Sequence, residues 1–200
     1  HTLFLSLLLA PTTLVIGAES ANPAEAEYYK ITTFPTPANT ALEVSAAELL
    51  PDGRLVLGTR RGEIWMVSNA QSASVAGVWN KDTLMFDPAP GADSAKQVKY
   101  QRFAEGQHEV MGLVWKNGWL YVTNRYELLR MKDAAGRGRA DTFETVATPW
   151  GVSGDYHEYT FGSRFDKNGD LWFVSCLTGS FSSKTPFRGW AIRIKPDGTV

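Results

Sequence analysis

An all-β fold is predicted by three observations. Three short apolar runs each begin two residues after a turn glycine: Gly53 precedes Leu55-Val56-Leu57, Gly118 precedes Leu120-Tyr121-Val122, and Gly169 precedes Leu171-Trp172-Phe173. Runs this short, rich in β-branched and aromatic residues and bounded by turn residues, make strands rather than helices. The three glycines stand 65 and 51 residues apart; the second spacing is at the upper end of repeats of about 40 to 50 residues that each fold into one sheet, and an insertion at Gln71 to Lys96 accounts for the longer first. Register also persists beyond the apolar runs. With Leu55 laid over Leu120 and no gaps, Arg60 meets Arg125, Ile64 meets Leu129 and Met66 meets Met131. The 200 residues are 44% hydrophobic and 12% aromatic, enough for a sizeable core, and a formal net charge of -1 gives no electrostatic basis for binding nucleic acid.

Taken in order, Leu3 to Ala10 followed by Leu14 to Ala18 has the apolar core and small residues of a secretory signal without its basic start. Residues 1–20 are therefore read as the remnant of a signal peptide and 21–27 as a linker. The competing reading, a membrane anchor, meets Pro11 and Thr12-Thr13 before the run reaches the roughly 20 apolar residues of a span. Export to the periplasm or the cell exterior is expected, with membrane association as the alternative. The chain starts at His1 and stops within a turn signal at Pro196-Asp197-Gly198, so it is read as an N-terminal fragment of a longer protein. Cys176 has no partner for an internal disulfide, and no C-x-x-C-H haem motif is present.

Residues 28–34 read as a lone strand that stops at Pro35-Thr36-Pro37. Strands then follow at Val44–Leu50, Arg54–Thr59 and Glu63–Ser68, separated by the turns Pro51-Asp52-Gly53 and Arg60-Arg61-Gly62. Gln71 to Lys96 is read as a long surface loop, and Val98–Ala104 and Thr142–Ala147 as the more polar outer strands of successive units. Four strands per unit, apolar inner strands and a repeat of this length describe a β-propeller, with units near 44–104, 110–147 and 160–200. The strand at 28–34 would complete the last blade and close the ring. A β-sandwich, the competing all-β fold, explains neither the repeat nor the lone strand.

Chemistry concentrates ahead of the second and third units. His108-Glu109 lies ten residues before Gly118, and His157-Glu158 twelve before Gly169. Loops entering the innermost strands of a propeller emerge on one face, so both imidazoles are expected at the same mouth. Histidine titrates near neutrality, which suits a base that takes and later releases a hydroxyl proton. The competing reading is that the His-Glu pairs tie loops together. His157 is flanked by Ser153, Gly154, Asp155, Tyr156 and Tyr159, the mixture of polar and aromatic groups that lines sugar pockets. Arg60 and Arg125 are equivalent in the repeat and could hold an anion. Asp133 to Glu144 places Asp133, Gly138, Asp141 and Glu144 at the first, sixth, ninth and twelfth positions of a calcium loop. Ala135 and Arg137 fail the third and fifth, so the segment is read as a polar turn.

Leu50 to Trp65 resembles the first full blade of the glucose/sorbosone dehydrogenase family. Tyr156-His157-Glu158-Tyr159 ahead of Phe165 to Trp172 resembles that family's stretch in which a histidine precedes a turn and an aromatic strand. Gly106-Gln107-His108-Glu109, Asp133 to Asp141 and Trp150 to Tyr159 are similar to a bacterial branch of predicted membrane-bound dehydrogenases, in which a c-type haem domain often follows the propeller. The resemblance implies six blades in the whole protein, of which about three lie here. It implies the cofactor pyrroloquinoline quinone with calcium, mostly held by later blades, a sugar or related alcohol or aldehyde as substrate, and an electron acceptor such as the haem domain. It implies His157 as the base. Beside it, His108, Glu109, Arg125, Asp155, Tyr156 and Glu158 are expected to meet substrate. The Gly-Gly-Arg that follows the histidine in those dehydrogenases is replaced here by Tyr159-Thr160-Phe161.

Overall fold

The computed structural model describes residues 28, 36, 40–70, 78–80, 82, 85–87, 98–177 and 184–200. The chain divides into two units, 1–33 and 34–200, and the strands all belong to the second. The strand expected at 28–34 and the signal at 1–20 lie outside the described residues, apart from Tyr28, which is in a turn.

Every regular element described is a strand, and every strand pairing is antiparallel. Strands β1 (Val44–Leu49), β2 (Leu55–Thr59), β3 (Ile64–Ser68), β4 (Val78–Asn80), β5 (Met85–Asp87) and β6 (Lys99–Ala104) form a sheet in the order β1-β2-β3-β6-β5-β4. The second sheet contains β7 (Gly112–Lys116), β8 (Trp119–Thr123), β9 (Leu128–Lys132) and β10 (Thr142–Ala147), simply ordered β10-β9-β8-β7. The third contains β11 (Thr160–Phe165), β12 (Leu171–Ser175) and β13 (Ala191–Ile194). One expectation is corrected. The stretch 71–96 is not wholly loop, because Val78–Asn80 pairs with Met85–Asp87 and extends the first sheet beyond β6. The hairpin is added to the outer edge of a four-stranded blade, β1-β2-β3-β6, so that the sheets have six, four and three strands among the described residues.

Turn chemistry explains the hairpins. Between β1 and β2, Gly53 takes φ 85° and its N–H donates to Leu50 O at 3.0 Å, while Asp52 accepts the N–H of Arg54 at 3.0 Å. Asp166 does the same between β11 and β12, accepting the N–H groups of Asn168 and Asp170 at 2.8 and 3.0 Å. Short acidic side chains that bond the backbone two residues on are what Asp-Gly turns require. The β7–β8 connection is a two-residue turn, Asn117-Gly118, with φ of 51° and 82°.

The sheets stack face to face, with their first strands side by side. One buried cluster fills the space between the first and second sheets: Val56, Ile64, Met66 and Phe103 meet Leu113, Leu120, Val122 and Met131. A second cluster lies between the second and third: Val114 and Leu128 meet Leu171, Phe173, Ile192 and Ile194, capped by Trp150. A third covers the far face of the first sheet, with Trp65, Val67 and Tyr100. The second sheet is thus buried on both faces, as a propeller blade is by its neighbours. Polar bonds stitch β1, β7 and β11 together, with help from β8 and the residue run leading into β7. Ser45 Oγ donates to Val110 O, Glu48 accepts the N–H of Trp115 at 3.1 Å, Thr123 and Ser163 share a hydrogen at 2.5 Å, and Arg164 donates to Leu113 O at 3.0 Å. This radial stack makes the described strands three consecutive blades of a β-propeller.

Along β12 burial alternates, with Leu171, Phe173 and Ser175 buried and Trp172 and Val174 exposed. Only the face towards the second blade has a neighbouring sheet among the described residues.

Candidate functional site

The loop entering β7 (105–111), the loop entering β11 (148–159) and the turns β2–β3 and β8–β9 gather at one end of the blades. Backbone bonds fix them there: Gln107 N donates to Gly62 O at 3.0 Å, Met111 N to Thr123 O at 2.9 Å, and Arg125 N to His108 O at 3.1 Å. Thr160 Oγ1, fully buried, donates to Asn124 O at 2.6 Å. Gly62 is needed for this closeness. It has φ 84°, and a Cβ there would collide with Gln107 O.

Glu109 is the hub. One carboxylate oxygen accepts Arg125 Nη1 at 3.0 Å, while the other faces Arg60 Nη2 at 3.5 Å and accepts Tyr159 Oη at 3.3 Å. Arg60 Nη2 also reaches Tyr159 Oη at 3.1 Å and Tyr156 Oη at 3.3 Å. Arg60 belongs to the first blade, Arg125 to the second and the tyrosines to the loop entering the third. The cluster therefore joins all three. Its guanidinium groups lie 5.1 and 5.8 Å from the centroid of the Tyr159 ring. Hydrogen bonding to Tyr156 holds Arg60 more firmly protonated than usual, and the same contact pulls the Tyr156 phenol below the ordinary tyrosine range. Burial pushes Tyr159 the other way.

His157 lies on this end with its side chain 51% exposed. Its backbone N–H donates to Asp155 Oδ1 at 3.0 Å, and its Nδ1 stands 3.9 Å from the same oxygen. Tyr156 packs edge-on against the imidazole at 5.0 Å. His108 is also exposed and packs against Tyr126 at 5.0 Å. Arg125 is mainly a brace, donating to the carbonyls of Asp155, Tyr156 and Glu158 at 2.6, 3.1 and 3.2 Å.

The two glutamates of the repeated His-Glu pairs do different things. Glu109 faces the mouth, whereas Glu158 is completely buried and accepts Ser153 N at 2.6 Å, Ser153 Oγ at 2.5 Å and Thr185 Oγ1 at 3.4 Å. The loop entering β11 (148–159) is longer ahead of its glutamate than the loop entering β7 (105–111), and its Ser153 folds back onto the Glu158 carboxylate. Sequence reasoning missed Arg188, which donates to Tyr159 O and Gly151 O at 3.3 and 3.2 Å and ties the third blade to the same loop. Its signal was weak, because it lies within a long β12–β13 connection out of register with Arg60 and Arg125.

The residues tested as a calcium loop form a closed turn. Asp133 accepts Arg137 N and Gly138 N at 2.9 and 2.6 Å, and Asp141 accepts Ala134 N and Ala135 N, both at 2.9 Å. Backbone amides take the lone pairs a cation would need. Among the described residues no group of three or more His, Cys, Asp or Glu side chains converges to hold a metal. A cavity of about 420 Å³ lies between the second and third blades, lined by Lys116, Tyr121, Arg130, Phe165 and Lys195 among others. It sits at the β7–β8 and β11–β12 turns, the opposite end from the histidines, and we assign it no part in their chemistry.

No family model matches the sequence, and no curated protein matches it. Among solved structures, the chain is similar to a Trichoderma reesei carbohydrate-active enzyme of family AA12, with 13% identity and a TM-score of 0.41. The likeness covers 73% of this chain and 36% of that one, so the chain spans about a third of that enzyme's length.

Proposed function

We propose that the protein is an exported quinoprotein-like dehydrogenase that oxidises a sugar or related alcohol or aldehyde at the mouth described above. The observation that carries this reading is the gathering of His157, Tyr156, Glu109 and Arg60 at one end, from chain segments far apart in sequence. His157 is the base. Its imidazole is half-exposed at this end, beside Tyr156 and near Asp155, where a substrate hydroxyl can reach it and give up a proton. Pyrroloquinoline quinone, expected from the sequence resemblance, is a two-electron acceptor for the hydride. The exposed edge of Arg60 suits one of its carboxylates. Calcium does not fit the described residues: Glu109 is shared between two arginines, and Glu158 is committed to Ser153 and Thr185. Its ligands would have to come from elsewhere.

A second reading has an observation in its favour. The ionic groups at this end are largely spent on one another, as they would be in a propeller that binds carbohydrate or protein without catalysis. Titration of the purified protein with pyrroloquinoline quinone in calcium buffer, followed by dye reduction with a panel of aldoses, separates the two. Saturable quinone uptake and sugar-dependent reduction are expected. Sugar binding with no quinone uptake would leave the binding module.

A further inference from the structure

Two exposed tyrosines stand at the mouth, each packed on a histidine. Tyr126, 38% exposed, meets His108 with ring centroids 5.0 Å apart and planes at 58°. Tyr156, 62% exposed, meets His157 at 5.0 Å and 88°. One residue links the two stacks: Arg125 donates its backbone N–H to His108 O at 3.1 Å and its guanidinium to Tyr156 O at 3.1 Å. Both pairs, one tilted and one edge-on, are therefore tied to Arg125 on one rim. Their rings are held by the packed imidazoles, and Tyr156 also by Arg60.

A fixed aromatic face left in water among hydrogen-bonding groups is suited to a partner that is apolar on one side and hydroxylated at its edge. A pyranose ring is such a partner: its C–H face lies on the aromatic ring while its hydroxyls reach imidazole, guanidinium and carboxylate. Two adjacent faces fit two successive sugar units. We propose that the ligand is an oligosaccharide, with its reacting unit on Tyr156 beside His157 and the next unit on Tyr126 and His108. This deepens the sugar reading above and rests on it.

The test is calorimetric titration of the purified protein with mono-, di- and tetrasaccharides of glucose, galactose, mannose and xylose. At least one tetramer is expected to bind roughly three- to tenfold more tightly than its monomer, the gain one further aromatic stack supplies. Tyr126→Ala should bring that ratio to about one, and Tyr126→Phe should preserve it, since the ring face makes the contact. A monomer that binds as tightly as its oligomers overturns the second subsite and leaves the sugar reading standing. A gain that survives Tyr126→Ala overturns the part given to Tyr126. If no sugar of any length binds, the sugar reading falls and this inference with it.

Discussion

Glu109 holds a left-handed backbone conformation, φ 54°, that glutamate rarely adopts. The conformation aims one carboxylate between arginines from two blades, and hydrogen bonds to charged partners repay it. Glu109→Gln keeps the shape and removes the charge, and is expected to lower stability by about 1–3 kcal/mol in urea titration. A second set of carboxylates sets the acid limb of stability. Asp141, Asp166 and Asp197 are all held below the usual aspartate range, Asp141 and Asp197 first by backbone N–H donors and Asp166 first by the Trp172 indole N–H. A depressed folded pKa means that their contribution is complete above the ordinary carboxylate pKa and is lost as pH falls through the folded values. Unfolding midpoints measured from pH 7 downwards should fall below about pH 5, and Asp166→Ala should shallow that fall.

At the scale of strands, β7 and β11 of neighbouring blades approach closely. A Cβ on Gly112 would run into Gly162 O and Ser163 Oγ. Gly112→Ala must push two innermost strands apart, and a loss of about 1–3 kcal/mol is expected from thermal unfolding. The turns and their apolar runs could be read in the sequence because each is local: Asp-Gly chemistry and a short apolar run need no distant partner. Arg60 and Arg125 could be aligned for the same reason. What the two arginines bind could not be read. Tyr159, Glu109 and the buried Glu158 meet them only through the stacking of blades, and a repeated His-Glu dipeptide does not reveal that Ser153, in the longer loop ahead of β11, turns one glutamate inward. The β4–β5 hairpin was hidden for a similar reason. Its two strands are three residues each, too short to show alternation amid serine, alanine and proline.

Across the molecule, blades and apolar clusters alternate, and this alternation brings the loops together. A blade packed on both faces has little freedom to rotate, so loops entering successive innermost strands converge on one end. The third blade keeps an apolar face, with Trp172 and Val174, that no described sheet covers. The loop that carries His157 and Tyr156 is tied to the packed blades by Arg125 and Arg188, which donate to its backbone carbonyls. The most direct check is the turnover of His157→Ala beside the unaltered protein, with quinone bound and a sugar that supports dye reduction. The base role predicts a fall in kcat of about 10²- to 10⁴-fold, unchanged circular dichroism and partial recovery on adding imidazole. A correctly folded His157→Ala that turns over at the normal rate would contradict it.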